Sequence, residues 1–248
     1  MFYLRTGNGP RVVVGLHGWS GDHRTFDPLL QRMPGGFSLW ALDLPGCGKS
    51  QAPKHWEMRS LAAEVAREMA GFQQTGVTLL GSCSGAILGA FVVRELHSMG
   101  QPRVVERLVM IDPFAFCPWY FRIFLTPMVG PMMYAAAFAN PCGRGITNFL
   151  LREKRAEDTD LMHSFAAVNH HVVWQYLKML SKCGRPGQFR GLDVPVDILY
   201  GEKTFAAVRR SVKEWAEALP QARICELAGV GHLPIQENSS EVARLLFE

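Results

Sequence analysis

The strongest structural signal in the chain is the stretch Leu79-Leu80-Gly81-Ser82-Cys83-Ser84-Gly85-Ala86. An apolar run, 77–80, precedes it, and small and apolar residues, 86–90, follow it, which predicts a strand, a sharp turn and a helix. The two glycines stand two residues before and two residues after Cys83, where a crowded backbone leaves no room for a Cβ. This is the pattern of a nucleophile elbow, in which the turn lifts one side chain above the sheet.

The centre of this elbow is a cysteine, whereas the pattern usually has a serine. The alternative is a buried cysteine that only fills space in the core. We predict instead that Cys83 is a nucleophile, because a packing cysteine does not need a glycine on each side. The neighbouring Ser82 and Ser84 fit the pattern less well, because neither has glycine at both the second position before it and the second position after it.

Composition and charge exclude several classes of protein. The 248 residues are enough for one buried core, and a net charge of +4 is too mild to indicate nucleic-acid binding. The first five residues lack the basic and apolar regions of a signal peptide, and there is no run of about 18 apolar residues, so we expect a cytoplasmic protein without a membrane span. The six cysteines form no C-x-x-C pair, and we expect reduced thiols, no metal site and no cofactor.

Apolar runs that predict strands alternate along the chain with helical patterns, which predicts a parallel sheet covered by helices on both faces. The predicted strands are 3–5, 11–16, 37–42, 77–80, 107–111, 194–201 and 222–227, and the predicted helices are about 24–33, 57–72, 86–97, 206–219 and 239–247. The alternation breaks from about 114 to 190, where the sequence is rich in Phe, Met and Tyr and contains no clear strand. We predict an α/β core, residues 1–113 and 191–248, with a helical lid, residues 114–190.

Four blocks in this order resemble those of the α/β-hydrolase family, in particular its lidded esterases and lipases. The blocks are Leu16-His17-Gly18-Trp19, Asp43-Leu44-Pro45-Gly46-Cys47-Gly48-Lys49-Ser50, Gly81-Ser82-Cys83-Ser84-Gly85 and Gly231-His232-Leu233-Pro234. The resemblance covers roughly residues 10–116 and 191–248, and it implies a lid inserted after the sixth strand. The first two blocks are similar to those of pimeloyl-carrier methyl ester esterases. The cysteine elbow resembles that of polyhydroxyalkanoate synthases and of some cysteine-dependent lactone hydrolases and thioesterases. Because these families differ in substrate, only the reaction class carries over.

The resemblance also implies roles for individual residues. His232, which follows the last predicted strand in a Gly-His-x-Pro context, is the candidate general base. The backbone N–H groups of Trp19 and Ser84 are the candidate donors of an oxyanion hole. His17 is expected to have a structural role.

The acid that would orient His232 is missing from its usual position in the family, which reads Gly201-Glu202-Lys203-Thr204 here. Thr204 cannot supply a carboxylate, and Glu202 is offset from the usual position. Some relatives carry the acid at the end of the sixth strand, and Asp112 occupies that position. Three hypotheses stay open: Asp112, Glu202, or no essential acid, because a thiol needs less help from its base than a hydroxyl does.

These residues predict a hydrolase that acts on carboxylic ester or thioester bonds through an acyl-enzyme formed on Cys83, with His232 as base and Asp112 as acid. The expected partner is a small acyl ester or thioester, with an acyl carrier as a further candidate. One alternative is an acyltransferase that uses the same cysteine with an acceptor other than water. A second alternative, prompted by Thr204, is a ligand-binding homologue without catalytic activity.

Overall fold

The computed structural model describes residues 1–248 and contains one seven-stranded sheet with the order β1-β3-β2-β4-β5-β6-β7. Only β1 is antiparallel to its neighbour; every other pair of strands is parallel. The prediction of a mostly parallel α/β fold is confirmed. The strands are β1 (Tyr3–Thr6), β2 (Arg11–Leu16), β3 (Phe37–Leu42), β4 (Val77–Ser82), β5 (Val105–Ile111), β6 (Val196–Gly201) and β7 (Arg223–Leu227).

Ten α-helices connect and cover the strands: α1 (Asp27–Leu30), α2 (Met58–Gly71), α3 (Ser84–Ser98), α4 (Trp119–Arg122), α5 (Gly130–Tyr134), α6 (Pro141–Leu150), α7 (His170–Leu180), α8 (Ala206–Ala218), α9 (Pro234–Glu237) and α10 (Ser239–Phe247). Short 3₁₀ turns lie at His23–Phe26, Ile123–Leu125, Arg152–Lys154, His163–Ala166 and Pro186–Phe189, and a π-helical turn lies at Ala135–Ala139. The single helix predicted at about 24–33 is wrong. Pro28 has no backbone N–H to donate, so the chain forms a 3₁₀ turn followed by the short α1 in place of one continuous helix.

The sheet is buried on both faces, which explains the continuous apolar runs of its central strands. The larger of the two core clusters includes Leu61 of α2, Phe91 of α3 and Trp215 of α8. The smaller cluster includes Leu29 of α1 and Leu246 of α10. The parallel strands therefore form a rigid layer whose carboxyl ends meet at one edge, and the predicted site residues follow β4, β5 and β7 at that edge.

Residues 114–190, which we call the helical segment, lie between β5 and β6 and contain no strand. The strand before this segment is the fifth in chain order, whereas the prediction counted it as the sixth. The segment has a small core of its own, formed by Tyr134, Phe138, Leu161, Met162, Phe165 and Val173. No single helix in the chain has the length and apolar character needed to cross a bilayer. The pair Trp119–Leu125 and Gly130–Ala139 reaches that length and composition only together, and its two halves are bent by 116°.

Candidate active site

Cys83 lies between the last residue of β4 and the first residue of α3, as the elbow pattern predicts. Its φ of 52° and ψ of −112° place it in a backbone region that non-glycine residues rarely adopt. The backbone N–H of Cys83 donates to the Ile111 carbonyl at 2.7 Å, which ties the turn to the end of β5. The fold thus holds the thiol in a strained turn at the N-terminus of a helix, as is common at functional sites.

The two glycines of the elbow are required because neighbouring backbone approaches them closely. A Cβ added to Gly81 would lie 2.4 Å from the Cα of Ala86, and one added to Gly85 would lie 2.2 Å from the carbonyl oxygen of Leu16. Both distances are far shorter than any real carbon contact. The same closeness brings the end of β2 beside the elbow, which places the loop that contains Trp19 next to Cys83.

The side chains of His232 and Asp112 meet at the carboxyl edge of the sheet. The Nδ1 atom of His232 lies 2.8 Å from Oδ2 of Asp112, and only 12% of the histidine side chain is exposed. With Nδ1–H donating to the carboxylate, Nε2 is left for the thiol. The backbone N–H of His232 donates to the carbonyl of Lys154 at 2.9 Å, so the helical segment also fixes the histidine loop.

Asp112 directly follows β5 and has a φ of 47°, and its carboxylate is buried. Oδ1 accepts the Gly201 N–H at 2.9 Å, and Oδ2 accepts both the hydroxyl of Thr204 and His232 Nδ1–H. The sequence prediction missed this role of Thr204, whose fully buried hydroxyl also lies 3.3 Å from His232 Nδ1. The signal that could have found it is a hydrogen-bonding side chain at the very position where relatives carry their acid.

Glu202, the alternative acid, lies on the outside of the same turn. Its side chain is exposed, and its carboxylate accepts the backbone N–H of Gly229 at 2.7 Å. No hydrogen bond joins it to His232. Of the two carboxylates considered from the sequence, the structure brings only Asp112 to the histidine.

Electrostatics at the site favour the charged form of the histidine. Burial lowers the pKa of His232, but hydrogen bonds to Asp112 and Cys83, together with electrostatic attraction to the same two groups, outweigh burial and raise the pKa to about 10. At neutral pH the imidazole ring is therefore an imidazolium, held between a carboxylate and the sulfur atom.

The backbone N–H groups of Trp19 and Ser84 have no hydrogen-bond acceptor within the protein, and both residues line the same cavity as Cys83. Ser84 is the first residue of α3, where N–H groups point out of the helix. The indole of Trp19 donates to the carbonyl of Val173 at 2.8 Å, and aromatic rings of the helical segment surround it. The side chain thereby anchors the loop after β2, which lies beside Cys83.

His17 is buried, and its position agrees with the structural role expected for it. Its Nε2 accepts the backbone N–H of Leu44 at 3.0 Å, and its Nδ1 lies 2.9 Å from the carbonyl oxygen of Gly18. Burial lowers the pKa of His17, so the ring stays neutral and links the two loops that follow β2 and β3.

A cavity of about 730 Å³ lies between the sheet edge and the helical segment. Its lining includes Cys83, His232, Trp19 and Ser84, and 20 of its 35 lining residues are hydrophobic. The apolar wall includes Phe114, Phe116, Tyr120, Phe121, Leu177 and Leu180. A chamber of this size and character accommodates an apolar group of medium length beside the thiol.

One group of side chains outside the cavity has metal-ligand chemistry. Possible ligand atoms of Asp22, His23 and Asp43 lie within 4.8 Å of one another. The Asp43 carboxylate already accepts the His23 ring, the His23 N–H and the Lys49 N–H, and Asp22 is paired with Arg24. These hydrogen bonds and the ion pair indicate that the cluster stabilises the loop after β3.

Comparison with known proteins identifies the class. The sequence profile of the Alpha/beta hydrolase family matches residues 13–245. The chain therefore belongs to the alpha/beta hydrolase family and is an enzyme of that type.

Two relatives of this chain carry the name of the same enzyme. A pimeloyl-acyl-carrier-protein methyl ester esterase of Neisseria meningitidis serogroup A is 22% identical, over 95% of this chain and 75% of the relative. An enzyme of the same name from Yersinia pseudotuberculosis serotype IB is also 22% identical, over 99% of this chain and 95% of the relative.

Solved structures agree with this chain in fold. A lipase-esterase related protein from Clostridium acetobutylicum superposes with a TM-score of 0.77 at 15% identity, covering 98% of this chain and 97% of the other. A thermophilic esterase from Thermogutta terrifontis gives a TM-score of 0.75 at 18% identity, covering 98% and 90%.

Proposed function

We propose that this protein hydrolyses carboxylic esters or thioesters through an acyl-enzyme formed on Cys83. The observation that carries the proposal is the hydrogen-bonded series Cys83, His232 and Asp112 at a strained elbow that opens into an apolar cavity. The relatives named as methyl ester esterases support the ester class and make an acyl group on a carrier a candidate substrate.

In the first half of the reaction the sulfur of Cys83 attacks the carbonyl carbon of the substrate. His232 takes the proton of the Cys83 thiol, a step that the raised pKa of the histidine favours, and the sulfur attacks as a thiolate. The negative charge that develops on the carbonyl oxygen is held by the free N–H groups of Trp19 and Ser84. The bond to the alcohol or thiol breaks, and the imidazolium gives its proton to that leaving group.

In the second half the neutral imidazole of His232 takes a proton from water, and the resulting hydroxide attacks the thioester carbonyl. The bond between carbon and sulfur breaks, the carboxylic acid leaves, and the imidazolium and thiolate form again. Asp112 keeps the imidazole oriented in both halves and stabilises its charged form. The acyl group occupies the apolar wall of the cavity, and the helical segment acts as the lid that excludes water around it.

The test compares wild-type protein with Cys83→Ala and Cys83→Ser on p-nitrophenyl butyrate and on a short acyl thioester. Cys142→Ala is the matched control, because Cys142 is exposed and lies outside the cavity. We expect Cys83→Ala to lose activity, Cys142→Ala to keep it, and intact mass spectrometry to detect an acyl adduct that requires Cys83. Full activity of Cys83→Ala, or the absence of an adduct in a single turnover, overturns the proposal.

The thiol nucleophile favours one second candidate, transfer of the acyl group to an acceptor other than water. A thioester acyl-enzyme reacts more readily with amines and thiols than an oxygen ester does. Adding an amine or thiol to the same assay distinguishes the two reactions, since a transferase gives the acylated acceptor in place of the free acid.

A further inference from the structure

The helical segment exposes a concentration of large apolar side chains. Eight of the chain's twelve exposed large hydrophobic residues lie between 119 and 150. We call these eight the apolar face: Trp119, Met128, Val129, Met132, Met133, Ile146, Phe149 and Leu150. Met128 is 89% exposed and Trp119 is 73% exposed, so nothing in the protein covers them. An exposed apolar surface of this extent marks an interaction site.

The helices that form this face bury their other sides. Tyr134 and Phe138 point into the small core of the helical segment, whereas Met132 and Met133 on the same helical turns point outward. In α6, Phe149 and Leu150 lie three and four residues after Ile146, so the three side chains share one side of the helix. No residue of α6 is buried, so this helix lacks a partner for its apolar side.

The charged residues of the segment that carries the apolar face are all arginines, and acidic residues begin only at Glu153. Residues 114–152 contain three arginines, Arg122, Arg144 and Arg152, and not a single Asp or Glu. The guanidinium of Arg152 lies 4.6 Å from the centre of the Phe149 ring, at the edge of the face. An apolar surface whose own segment contributes arginines as its charged residues is complementary to a bilayer with anionic headgroups.

The geometry fits a surface-bound protein. The helical pair 119–125 and 130–139 is bent by 116°, which suits helices that lie in the headgroup region. A second copy of this chain fits less well, because a two-fold contact through this face would bring the same three arginines together. Leu150 belongs both to the apolar face and to the cavity lining, so the face adjoins the chamber that contains Cys83.

We propose that the apolar face docks this protein on lipid membranes that contain anionic lipids. The apolar side chains enter the headgroup and acyl boundary, and the arginines contact lipid phosphates. The cavity then faces the bilayer, from which an apolar ester can enter. Docking does not depend on the reaction at Cys83, so its test is independent of the proposed function.

The experiment is flotation of the full chain with vesicles of phosphatidylcholine alone or of phosphatidylcholine and phosphatidylglycerol in equal parts. The variant Met128→Ser/Met132→Ser/Phe149→Ser removes apolar contacts outside the cavity. The matched control Leu4→Ser/Met99→Ser/Ile224→Ser removes exposed apolar residues elsewhere. We expect the wild type and the control to float with the anionic vesicles, and the face variant to lose partitioning by about tenfold or more.

A charge variant, Arg122→Gln/Arg152→Gln, should lose about fivefold in partitioning per charge on anionic vesicles. Circular dichroism and hydrolysis of a soluble ester, unchanged in the variants, show that they are folded. Three results would overturn the proposal: wild-type protein that does not float with either vesicle, equal losses in the face and control variants, or a dimer that the face variant dissociates without any vesicle binding. Binding of an acidic carrier protein through the arginines, in the absence of flotation, would assign the face to that partner instead.

Discussion

Replacement of Asp112 by asparagine tests the charge arrangement of the site while preserving its shape. The asparagine amide has nearly the same size and still offers an oxygen to the Gly201 N–H, so the turn should survive. What disappears is the negative charge 2.8 Å from Nδ1 of His232. The amide NH₂ group also favours the wrong tautomer of the imidazole, with the proton on Nε2.

The expected loss of stability in Asp112→Asn follows from the raised pKa of His232. The pKa of His232 rises from 6.5 to about 10, which corresponds to about 4–5 kcal/mol in total at 1.36 kcal/mol per unit. Asp112 supplies one of the hydrogen bonds to this ring, and a hydrogen bond to a charged group contributes about 1.5–3 kcal/mol. Because the folded-state pKa is the raised one, this stability is fully present below about pH 6.5 and disappears as the pH rises through about 10. Asp112→Asn should therefore be less stable than wild type at pH 6, by an amount that shrinks towards pH 10.

Activity should fall as well, by about 10²-fold in kcat/KM. The corresponding change in a serine triad costs about 10⁴-fold, and a thiol depends less on its base. The measurements are urea unfolding at several pH values, a pH titration of the His232 resonances by NMR, and kinetics on a soluble ester. A stability difference that is independent of pH, combined with unchanged kinetics, would show that Asp112 neither stabilises the imidazolium nor orients His232.

Thr204→Val deletes the hydroxyl that donates to Asp112, so kcat/KM should fall about tenfold, while Thr204→Ser keeps the donor and the activity; equal activity of the two variants would argue against this role. In the wild-type background Thr204→Asp should lower the melting temperature, because two carboxylates would share a buried site; in the Asp112→Asn background it should raise activity, because it restores an acid near the histidine. Loss of activity in both backgrounds would show that an acid at 204 cannot replace Asp112. Gly85→Ala should destabilise the fold by about 3 kcal/mol or more, because the new Cβ would lie 2.2 Å from a carbonyl oxygen. The control Gly71→Ala, whose new Cβ has nothing within 4 Å, should leave the thermal midpoint nearly unchanged, and similar midpoints for the two variants would contradict the close packing at Gly85.

The parts of this protein that could be predicted from the sequence are those with a local signal. Periodicity places the strands, and the glycines around Cys83 define the turn, because each depends on a few neighbouring residues. The helix α10 has the predicted bounds, 239–247, since its spacing and its Asn238 cap are both local.

The contacts that the sequence could not predict join residues far apart in the chain. The indole of Trp19 reaches the carbonyl of Val173, and the carbonyl of Lys154 accepts the N–H of His232. Both contacts depend on how the helical segment folds over the sheet, and its first two helices, α4 and α5, span only four and five residues. The identity of the acid could not be predicted for the same reason, because only the parallel pairing of β5 with β6 brings Asp112 to Thr204.

The threonine at the usual acid position is best understood as the consequence of an acid at Asp112. Thr204 and Asp112 both lie within hydrogen-bonding distance of His232 Nδ1, and both are almost completely buried. A carboxylate at each position would place two negative charges in one water-excluded pocket, where one of them would have to take up a proton. A hydroxyl at 204 instead donates to the single carboxylate and leaves its charge for the imidazolium. Thr204, which from the sequence alone prompted the hypothesis of an inactive homologue, therefore supports the hypothesis of an active enzyme.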